Sequence, residues 1–210
     1  MSRHREGRQL EGQQLEGKTP RAGVQIAWQS VPREAARRQI ADALVGRIAS
    51  ALPAASHGDP VTVGRRCGRC GAADHGRPLV IGAPVLASIS YAGDLVVVAV
   101  ADASRFLALG IDAERTDRDR ADSLRGLLAP DRTTSLRRWT RVEAVLKADG
   151  RGLSVEPGRV RIERSLRGVY GSIAHDGVRD GATGAFGFRP RLLRVRGPRG
   201  VVISLAVVSV

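Results

Sequence analysis

The residues best suited to chemistry are two acidic side chains in the run Gly110-Ile111-Asp112-Ala113-Glu114. Side chains two positions apart on a β-strand point to the same face, so Asp112 and Glu114 would present two carboxylates side by side. Like charges this close repel unless a cation or water separates them, and a hard divalent ion such as Mg²⁺ suits such a pair. On spacing alone, a strand that runs out into a solvated charged loop is the simpler interpretation.

A second candidate group lies in the run Trp139-Thr140-Arg141-Val142-Glu143-Ala144-Val145-Leu146-Lys147. Glu143 and Lys147 are four residues apart, so on a helix they share one face, with Trp139 one turn earlier. A carboxylate and an ammonium presented together could hold a metal ion and a phosphate. The alternative is an ordinary exposed ion pair worth about 0.3 kcal/mol. Lys147 is notable because the only other lysine is Lys18.

The third group is Cys67-Gly68-Arg69-Cys70 followed by His75, which has the spacing of half a zinc site. A structural zinc site usually has four ligands. The sequence has no second pair of cysteines, and its other histidines are scattered. We therefore predict a thiol-containing loop, with a metal site as the alternative.

Charge and composition limit the classes of function. The chain of 210 residues carries 34 Lys and Arg against 21 Asp and Glu, and all the cations except Lys18 and Lys147 are Arg. Part of this charge reflects an Arg-rich composition, yet its field would attract phosphates, acidic proteins or nucleic acid. A nucleic-acid-binding protein has charge as its only support, since clustered aromatic residues for stacking and a recognisable reading helix are missing.

Compartment is indicated by the apolar runs and the cysteines. Two cysteines cannot form a disulfide framework, which favours a reducing cytoplasm. The longest apolar runs, residues 95–101 and 201–210, are much shorter than a membrane span. The sequence also lacks the order of charged, apolar and small residues found in secretory signals. We predict a soluble, cytoplasmic protein that does not enter a membrane.

The candidate residues are predicted to lie on both strands and helices, and these elements are interspersed along the chain. The fold class is therefore α/β or α+β. Hydrophobic content of 42% is enough for a core. Residues 1–21 are predicted to be a disordered extension. The chain after the first helix is predicted to be a loop that holds Cys67, Cys70, His75 and the turn Gly76-Arg77-Pro78. Apolar periodicity predicts helices over residues 32–50 and 136–148, the second closed by Gly150. Strands are predicted at residues 24–28, 85–89, 95–101 and 106–113, and in the region 155–210.

Five motifs, taken in order, resemble the 4′-phosphopantetheinyl transferase superfamily, in particular its two-lobed surfactin-type branch. The resemblance covers about residues 37–153. The motifs are His75-Gly76-Arg77-Pro78, Ser88-Ile89-Ser90-Tyr91-Ala92-Gly93-Asp94, Gly110-Ile111-Asp112-Ala113-Glu114, the helix from Trp139 to Lys147, and Gly150-Arg151-Gly152-Leu153.

The resemblance implies an α+β fold of two similar, pseudo-symmetric lobes, residues 22–104 and 105–210, with the active site between them. It implies a Mg²⁺-dependent enzyme with holo-acyl-carrier-protein synthase activity. Such an enzyme moves the 4′-phosphopantetheine group of coenzyme A to a serine of an apo acyl or peptidyl carrier protein, and releases adenosine 3′,5′-bisphosphate. The implied partners are this carrier protein and coenzyme A, and a monomer is expected.

The resemblance also implies roles for individual residues. Three carboxylates would hold Mg²⁺ against the pyrophosphate: Asp112, Glu114 and Glu143. Two residues would be catalytic: Lys147, which would stabilise phosphate charge, and Glu143, which would receive the serine proton directly or through water. Four residues would bind coenzyme A, mostly at its 3′-phosphate: Arg37, Arg77, Ser90 and Tyr91.

Two positions depart from the family pattern. Tyr91 stands where the family has a histidine, so that side chain can donate a hydrogen bond but carries no positive charge. Val142 stands where the helix motif has its first lysine, so one cation is missing. These departures leave open a degenerate member that binds coenzyme A or a carrier protein without turnover.

Overall fold

The computed structural model describes residues 23–31, 36–53, 60–67, 70–117, 135–174 and 188–210. Within these ranges the chain forms ten β-strands in three sheets and two α-helices, which confirms the α+β class. The predicted extension at residues 1–21 lies outside the described residues, as does residue range 118–134. Neither described helix is long and apolar enough to cross a membrane.

The described chain contains the following strands and α-helices. In chain order they are β1 (Val24–Ser30), α1 (Arg37–Ala51), β2 (Thr62–Arg66), β3 (Arg77–Ile81), β4 (Val85–Ala92), β5 (Leu95–Asp102), β6 (Phe106–Arg115), α2 (Leu136–Asp149), β7 (Val160–Ser165), β8 (Gly168–Ile173), β9 (Arg191–Val195) and β10 (Val201–Ser209). Two single-turn 3₁₀ helices, Gly152–Ser154 and Pro157–Arg159, lie between α2 and β7.

The first sheet has the antiparallel order β1-β5-β4 and is covered on both faces. Because side chains alternate along a strand, β5 uses one set, which includes Val96 and Val98, to pack against α1. The other set, which includes Val97 and Ala99, packs against the second sheet. Burial on both faces explains why β5 is an uninterrupted apolar run.

The second sheet has the antiparallel order β6-β10-β9-β8-β7, with β6 at one edge. On β6, Leu109 and Ile111 face the first sheet. The other face of this sheet is covered by α2, which buries Val142, Val145 and Leu146 there. The two sheets therefore pack against each other, with one helix on the outer side of each.

The remaining sheet is the hairpin β2-β3, which the sequence did not predict. Its strands are half exposed, so they lack a clear alternation of apolar and polar residues. Pro78 at the start of β3 also disfavours a strand assignment. The hairpin pairs Arg66 with Arg77 and so gives the predicted loop at residues 67–76 a fixed base.

The sheets built by residues 24–102 share no strand with the sheet built by residues 106–209. Two similar lobes and a boundary near Ser104 stay a prediction. The described geometry that matters for the site is the line where β4, β6 and α2 meet.

Candidate active site

Helix α2 lies unusually close to strand β6, at Gly110. A Cβ atom at this position would lie 2.1 Å from the carbonyl oxygen of Ala144 and 2.5 Å from the nitrogen of Ala148. Only a residue without a side chain lets the helix backbone approach this closely. The helix begins after Ser135, whose side chain accepts from the Arg138 N–H, and ends at Gly150 in the left-handed conformation (φ 89°). Gly110 therefore brings the polar face of α2 over the carboxylates of β6.

A buried hydrogen-bonded group lies at this crossing and consists of Ser90, Asp112 and Lys147, here named the Asp112 cluster. Lys147 Nζ donates to Asp112 Oδ1 at 2.7 Å and to Ser90 Oγ at 3.2 Å. Ser90 Oγ donates to the same Asp112 oxygen at 2.9 Å. It also accepts from the Ala113 N–H at 3.1 Å, which uses the full capacity of the hydroxyl. Three elements thus join through one carboxylate.

The surroundings of the Asp112 carboxylate disfavour its charged form. The residue is only 5% exposed, and its Oδ2 atom is buried without a hydrogen-bond partner among the described residues. Burial raises the pKa of Asp112, and the Glu114 charge adds to this, while Lys147 and Ser90 oppose it. An additional cation at Oδ2 would relieve both the missing contact and the cost of burying the charge.

The other two predicted metal ligands lie on the two elements that carry Asp112 and Lys147. Glu114 lies two residues after Asp112 on the same face of β6 and is also buried. Its Oε1 accepts a hydrogen bond of 3.2 Å from Trp139 Nε1, which explains the tryptophan one turn before Glu143. Glu143 is partly buried on α2, one turn before Lys147. Trp139, Glu143 and Lys147 were predicted to share one helix face, and the structure adds a direct contact from Trp139 to β6.

These oxygen atoms fit a hard divalent ion such as Mg²⁺. Carboxylates are the ligands that such ions prefer. Asp112 and Glu114 are like charges on one strand face, and Asp112 Oδ2 lacks a partner within the described part of the chain. The residue types therefore suit the ion that the sequence predicts, but within the described part of the chain the oxygens of Asp112, Glu114 and Glu143 do not all lie within 4.8 Å of one another.

Two serines of β4 attach this strand to the unpaired edge of β6. The Ile111 N–H donates to Ser88 Oγ at 3.0 Å, as the Ala113 N–H does to Ser90 Oγ. Two serine hydroxyls therefore accept the hydrogen bonds that the backbone of a neighbouring strand would otherwise accept. Ser88 was not singled out as a site residue from the sequence, although its spacing of two from Ser90 was the available signal.

A cavity of about 590 Å³ adjoins the Asp112 cluster. Its size is within the range of small-molecule sites. All five sequence motifs lie on its wall or in the neighbouring cluster, although they are distributed over some eighty residues of sequence. The lining includes Cys67, Arg77, Ser88, Lys147, Gly150 and Arg151.

Arg77 reaches from β3 across to the end of α2. A Cβ atom on Gly150 would lie 3.4 Å from Arg77 Nη1. Burial lowers the pKa of Arg77, and within the described residues no acidic side chain opposes this shift. The C-terminal end of a helix favours a cation, but an anion in the cavity would compensate the desolvated guanidinium more fully. Arg151, which the sequence named only within a motif, also lines the cavity and forms an ion pair of 2.7 Å with Asp149.

Arg37 and Tyr91 do not line this cavity, as far as the described residues show. Arg37 begins α1, and its Nε is buried without a described hydrogen-bond partner. Tyr91 is 43% exposed and lies on the opposite face of β4 from Ser90. Burial raises the pKa of Tyr91, while the nearby cations Arg65 and Arg38 lower it. The structure therefore separates Tyr91 from Ser90, and any common ligand would have to extend past the edge of β4.

No protein-family model matches this chain, and the curated proteins contain no significant match.

Proposed function

We propose that this protein is a Mg²⁺-dependent 4′-phosphopantetheinyl transferase that modifies a serine of an apo carrier protein. The observation that carries the proposal is the convergence of five motifs on one place. Asp112, Ser90 and Lys147 form one hydrogen-bonded cluster, and it adjoins a cavity that Arg77 and Arg151 also line. Phosphoryl transfer needs mostly positioning and neutralisation of charge, which this set of carboxylates and cations can provide.

The fold is compatible with the two-lobed arrangement that the resemblance implies. Sheet β1-β5-β4 carries α1, and sheet β6-β10-β9-β8-β7 carries α2. Under the proposal each of these helix–sheet units is one lobe. The Asp112 cluster then lies between the lobes, because Ser90 comes from one unit and Asp112 and Lys147 come from the other.

Asp112, Glu114 and Glu143 would hold Mg²⁺, which would supply positive charge to the pyrophosphate of coenzyme A. Asp112 is prepared for this role because its Oδ2 faces no described donor. Glu114 is held in place by Trp139 Nε1. The Lys147 ammonium, now bonded to Asp112 Oδ1, is positioned to contact a phosphate oxygen as negative charge shifts during transfer.

The chemical step exchanges a phosphoanhydride bond of coenzyme A for a phosphodiester bond to the carrier serine. The serine hydroxyl of the carrier protein attacks the β-phosphorus of coenzyme A and forms a new oxygen–phosphorus bond. The bond from that phosphorus to adenosine 3′,5′-bisphosphate breaks, and this group leaves with the bonding electrons. Glu143 takes the serine proton, directly or through water.

Coenzyme A would be oriented by cations away from the reacting phosphorus. Arg77 supports this role because it is desolvated beside the cavity. Arg37 supports it through its unpartnered buried Nε within the described structure. Tyr91 lies next to Arg65 and Arg38, so it could join an anion-binding group there. The proposed contact of Ser90 with the 3′-phosphate competes with its two bonds inside the Asp112 cluster and with its bond to the Ala113 N–H.

A basic groove near the start of α2 supports an acidic protein partner. It encloses about 460 Å³ and is lined by Arg137, Arg141, Arg194 and Arg196. Burial lowers the pKa of Arg141, and the neighbouring charges of Arg137 and Arg164 lower it further. These positive charges repel one another, so binding of an acidic surface of a cytoplasmic carrier protein would lower their electrostatic energy.

The decisive experiment is mass spectrometry of apo carrier proteins after incubation with this protein, coenzyme A and Mg²⁺. We expect one phosphopantetheine group on the carrier serine, and none when that serine is replaced by alanine. Binding of coenzyme A without any transfer would contradict the enzyme and favour a non-catalytic member of the family. Absence of both binding and transfer would overturn the family assignment, and retention on DNA would then favour the nucleic-acid-binding alternative.

A calorimetric comparison tests the orientation of coenzyme A. If Arg77 binds the 3′-phosphate, coenzyme A binds more tightly than its dephospho form, by about 1.5 to 3 kcal/mol. Arg77→Ala should remove most of this difference. Arg66→Ala is the matched control, because Arg66 pairs with Arg77 across the hairpin but is exposed and has the same charge. Equal affinities of the wild type for the two ligands would contradict this orientation.

A further inference from the structure

The loop that joins β2 to β3 brings together three side chains with metal-binding atoms. The sulfur atoms of Cys67 and Cys70 and a ring nitrogen of His75 all lie within 4.8 Å of one another. The backbone of the loop is folded by two hydrogen bonds of 2.9 Å, from the Gly71 N–H to the Cys67 carbonyl and from the Cys67 N–H to the Ala72 carbonyl. Both bonds join Cys67 to the backbone just after Cys70, so backbone contacts hold the two cysteines near each other.

The spacing of these atoms suits tetrahedral zinc. With a zinc–sulfur bond of about 2.3 Å and a zinc–nitrogen bond of about 2.0 Å, a sulfur and a nitrogen ligand lie about 3.5 Å apart. The distance from Cys70 Sγ to His75 Nε2 is 3.4 Å. Thiolate and imidazole are ligands that zinc prefers, whereas the carboxylates of the proposed active site suit magnesium. The two places thus differ in chemistry.

A carboxylate also orients the histidine. Asp74 Oδ1 lies 2.6 Å from His75 Nδ1, so this nitrogen carries the proton and Nε2 turns towards the cysteines. Zinc-binding histidines usually have such a carboxylate or carbonyl partner on the second ring nitrogen. The Asp74 carbonyl in turn accepts from Arg38 Nη1 at 2.5 Å, which attaches the loop to α1. This pairing is independent of the cysteine spacing and points to the same ligand.

We propose that Cys67, Cys70 and His75 bind one zinc ion, with a water molecule or another small ligand in the fourth position. This site goes beyond the transferase proposal and does not depend on it. The sequence analysis left this site as the alternative to a thiol-containing loop, and the proposal takes up that alternative because the structure adds the contact of Asp74 with His75 to the three ligands.

The zinc site would stabilise one wall of the cavity. Cys67 lines the cavity, and Arg77 follows the loop directly. Between them, Gly76 has a φ of +97°, and a Cβ atom there would lie 2.4 Å from the Arg66 carbonyl oxygen. The loop thus returns tightly against the end of β2. An ion that holds residues 67–75 would therefore also hold Arg77 in place.

The test is the metal content of the full-length protein, purified without an affinity tag or chelator. Elemental analysis should find about one zinc ion per chain, the stoichiometry of a single tetrahedral site. Cys70→Ser and His75→Ala should lose it, whereas His4→Ala, a control for adventitious histidine binding, should keep it. Asp74→Asn should still bind zinc, but about 10-fold to 100-fold more weakly in competition with a chelating dye.

A second measurement covers variants that fail to fold. Wild-type protein stripped with a chelator should regain Tm when zinc is added, and Mg²⁺ at the same concentration should not restore it. Cobalt in place of zinc should give a thiolate-to-cobalt charge-transfer band, which Cys70→Ser abolishes. Wild-type protein that retains no zinc, or that forms a Cys67–Cys70 disulfide and then gains no Tm from zinc under reducing conditions, would overturn the proposal.

Discussion

The two helices of this protein contact their sheets in different ways. Helix α1 packs through aliphatic side chains, among them Leu44 and Val45, onto the valines of β5. At its own glycine, Gly46, a Cβ atom would have a nearest neighbour at 3.8 Å, an ordinary contact distance. Helix α2 also buries aliphatic residues, but its backbone lies directly on Gly110 of β6.

The closer of the two helix–sheet contacts is also the one that joins polar side chains. An aliphatic contact like that of α1 is sufficient to stabilise a helix on a sheet. The closer contact of α2 also brings Lys147 to Asp112, with a bond of 2.7 Å. The two ion pairs are buried to a similar degree, but they differ in which partner is the more buried. At α2 it is the carboxylate, with Asp112 7% and Lys147 27% exposed, whereas at α1 it is the cation, with Arg65 9% and Asp42 25% exposed. Matched variants on the two helices therefore separate the effect of helix packing from the effect of the Asp112 cluster.

The largest expected effect is on catalysis by Asp112→Asn. We expect kcat/KM for phosphopantetheine transfer to fall by about 1,000-fold, which corresponds to about 4 kcal/mol of transition-state stabilisation. The reason is the loss of a charged oxygen at the site proposed for Mg²⁺. Asp42→Asn on α1, which removes the same charge from a carboxylate that is 25% exposed, should leave transfer within about twofold. Near-wild-type transfer by D112N at ordinary Mg²⁺ would contradict the site.

The same variant has a predictable pH dependence of stability. Burial raises the pKa of Asp112 above its usual value of about 3.8, so the folded state holds this proton more tightly than the unfolded state. The resulting stability is present below pH 3.8 and is lost as the pH rises through the folded pKa. D112N has no such loss, so its Tm relative to wild type should rise between acidic and neutral pH. A relative Tm that falls over this range would show that Lys147 outweighs burial.

The next largest effect is on stability, from Val142→Lys. This residue is the departure from the family helix motif, and in the structure Val142 is 0% exposed, within the core between α2 and its sheet. Lysine there would bury an unpaired charge and lower the free energy of unfolding by about 3 kcal/mol. Arg141→Lys, which replaces one cation by another at the neighbouring position, is the control. Stability of V142K close to wild type in urea denaturation would mean that the helix can rotate.

A smaller and opposite pair of effects is expected from the two glycines. Gly110→Ala should lower the free energy of unfolding by about 2 kcal/mol, because the new methyl group overlaps the α2 backbone. Gly46→Ala should raise it by about 0.5 to 1 kcal/mol, because alanine favours a helix and has room there. Chemical denaturation measures both. If both variants were stabilised, the close approach of α2 to β6 would be disproved.

The smallest effect separates the two serines of β4. Ser88→Ala and Ser90→Ala each remove the acceptor of one β6 N–H group, so each should cost about 1 kcal/mol of stability. Only Ser90 also bonds Asp112 and Lys147. We therefore expect kcat to fall by about tenfold for S90A, equal to about 1.4 kcal/mol, and to change little for S88A. Equal kcat values for the two variants would remove Ser90 from the proposed catalytic site.

Much of the local structure could be predicted from the sequence. The apolar run of β5 and the helix spacing of α2 were strong enough to assign, and Gly150 ends that helix in the left-handed conformation as expected. The hairpin β2-β3 was missed because its strands are half exposed and so show little alternation. Helix α1 was predicted from residue 32, whereas the described helix begins at Arg37.

The sequence by itself determined which side chains carry charge and which pairs share a face, because these depend only on residue type and on the period of a strand or helix. It therefore identified Asp112 with Glu114, and Glu143 with Lys147. Only the tertiary structure decided that Lys147 and Ser90 bind the same oxygen of Asp112, and that Tyr91 lies on the other face of β4. Periodicity specifies the buried face of an element but not the element that covers it, and here a single glycine on β6 sets that distance.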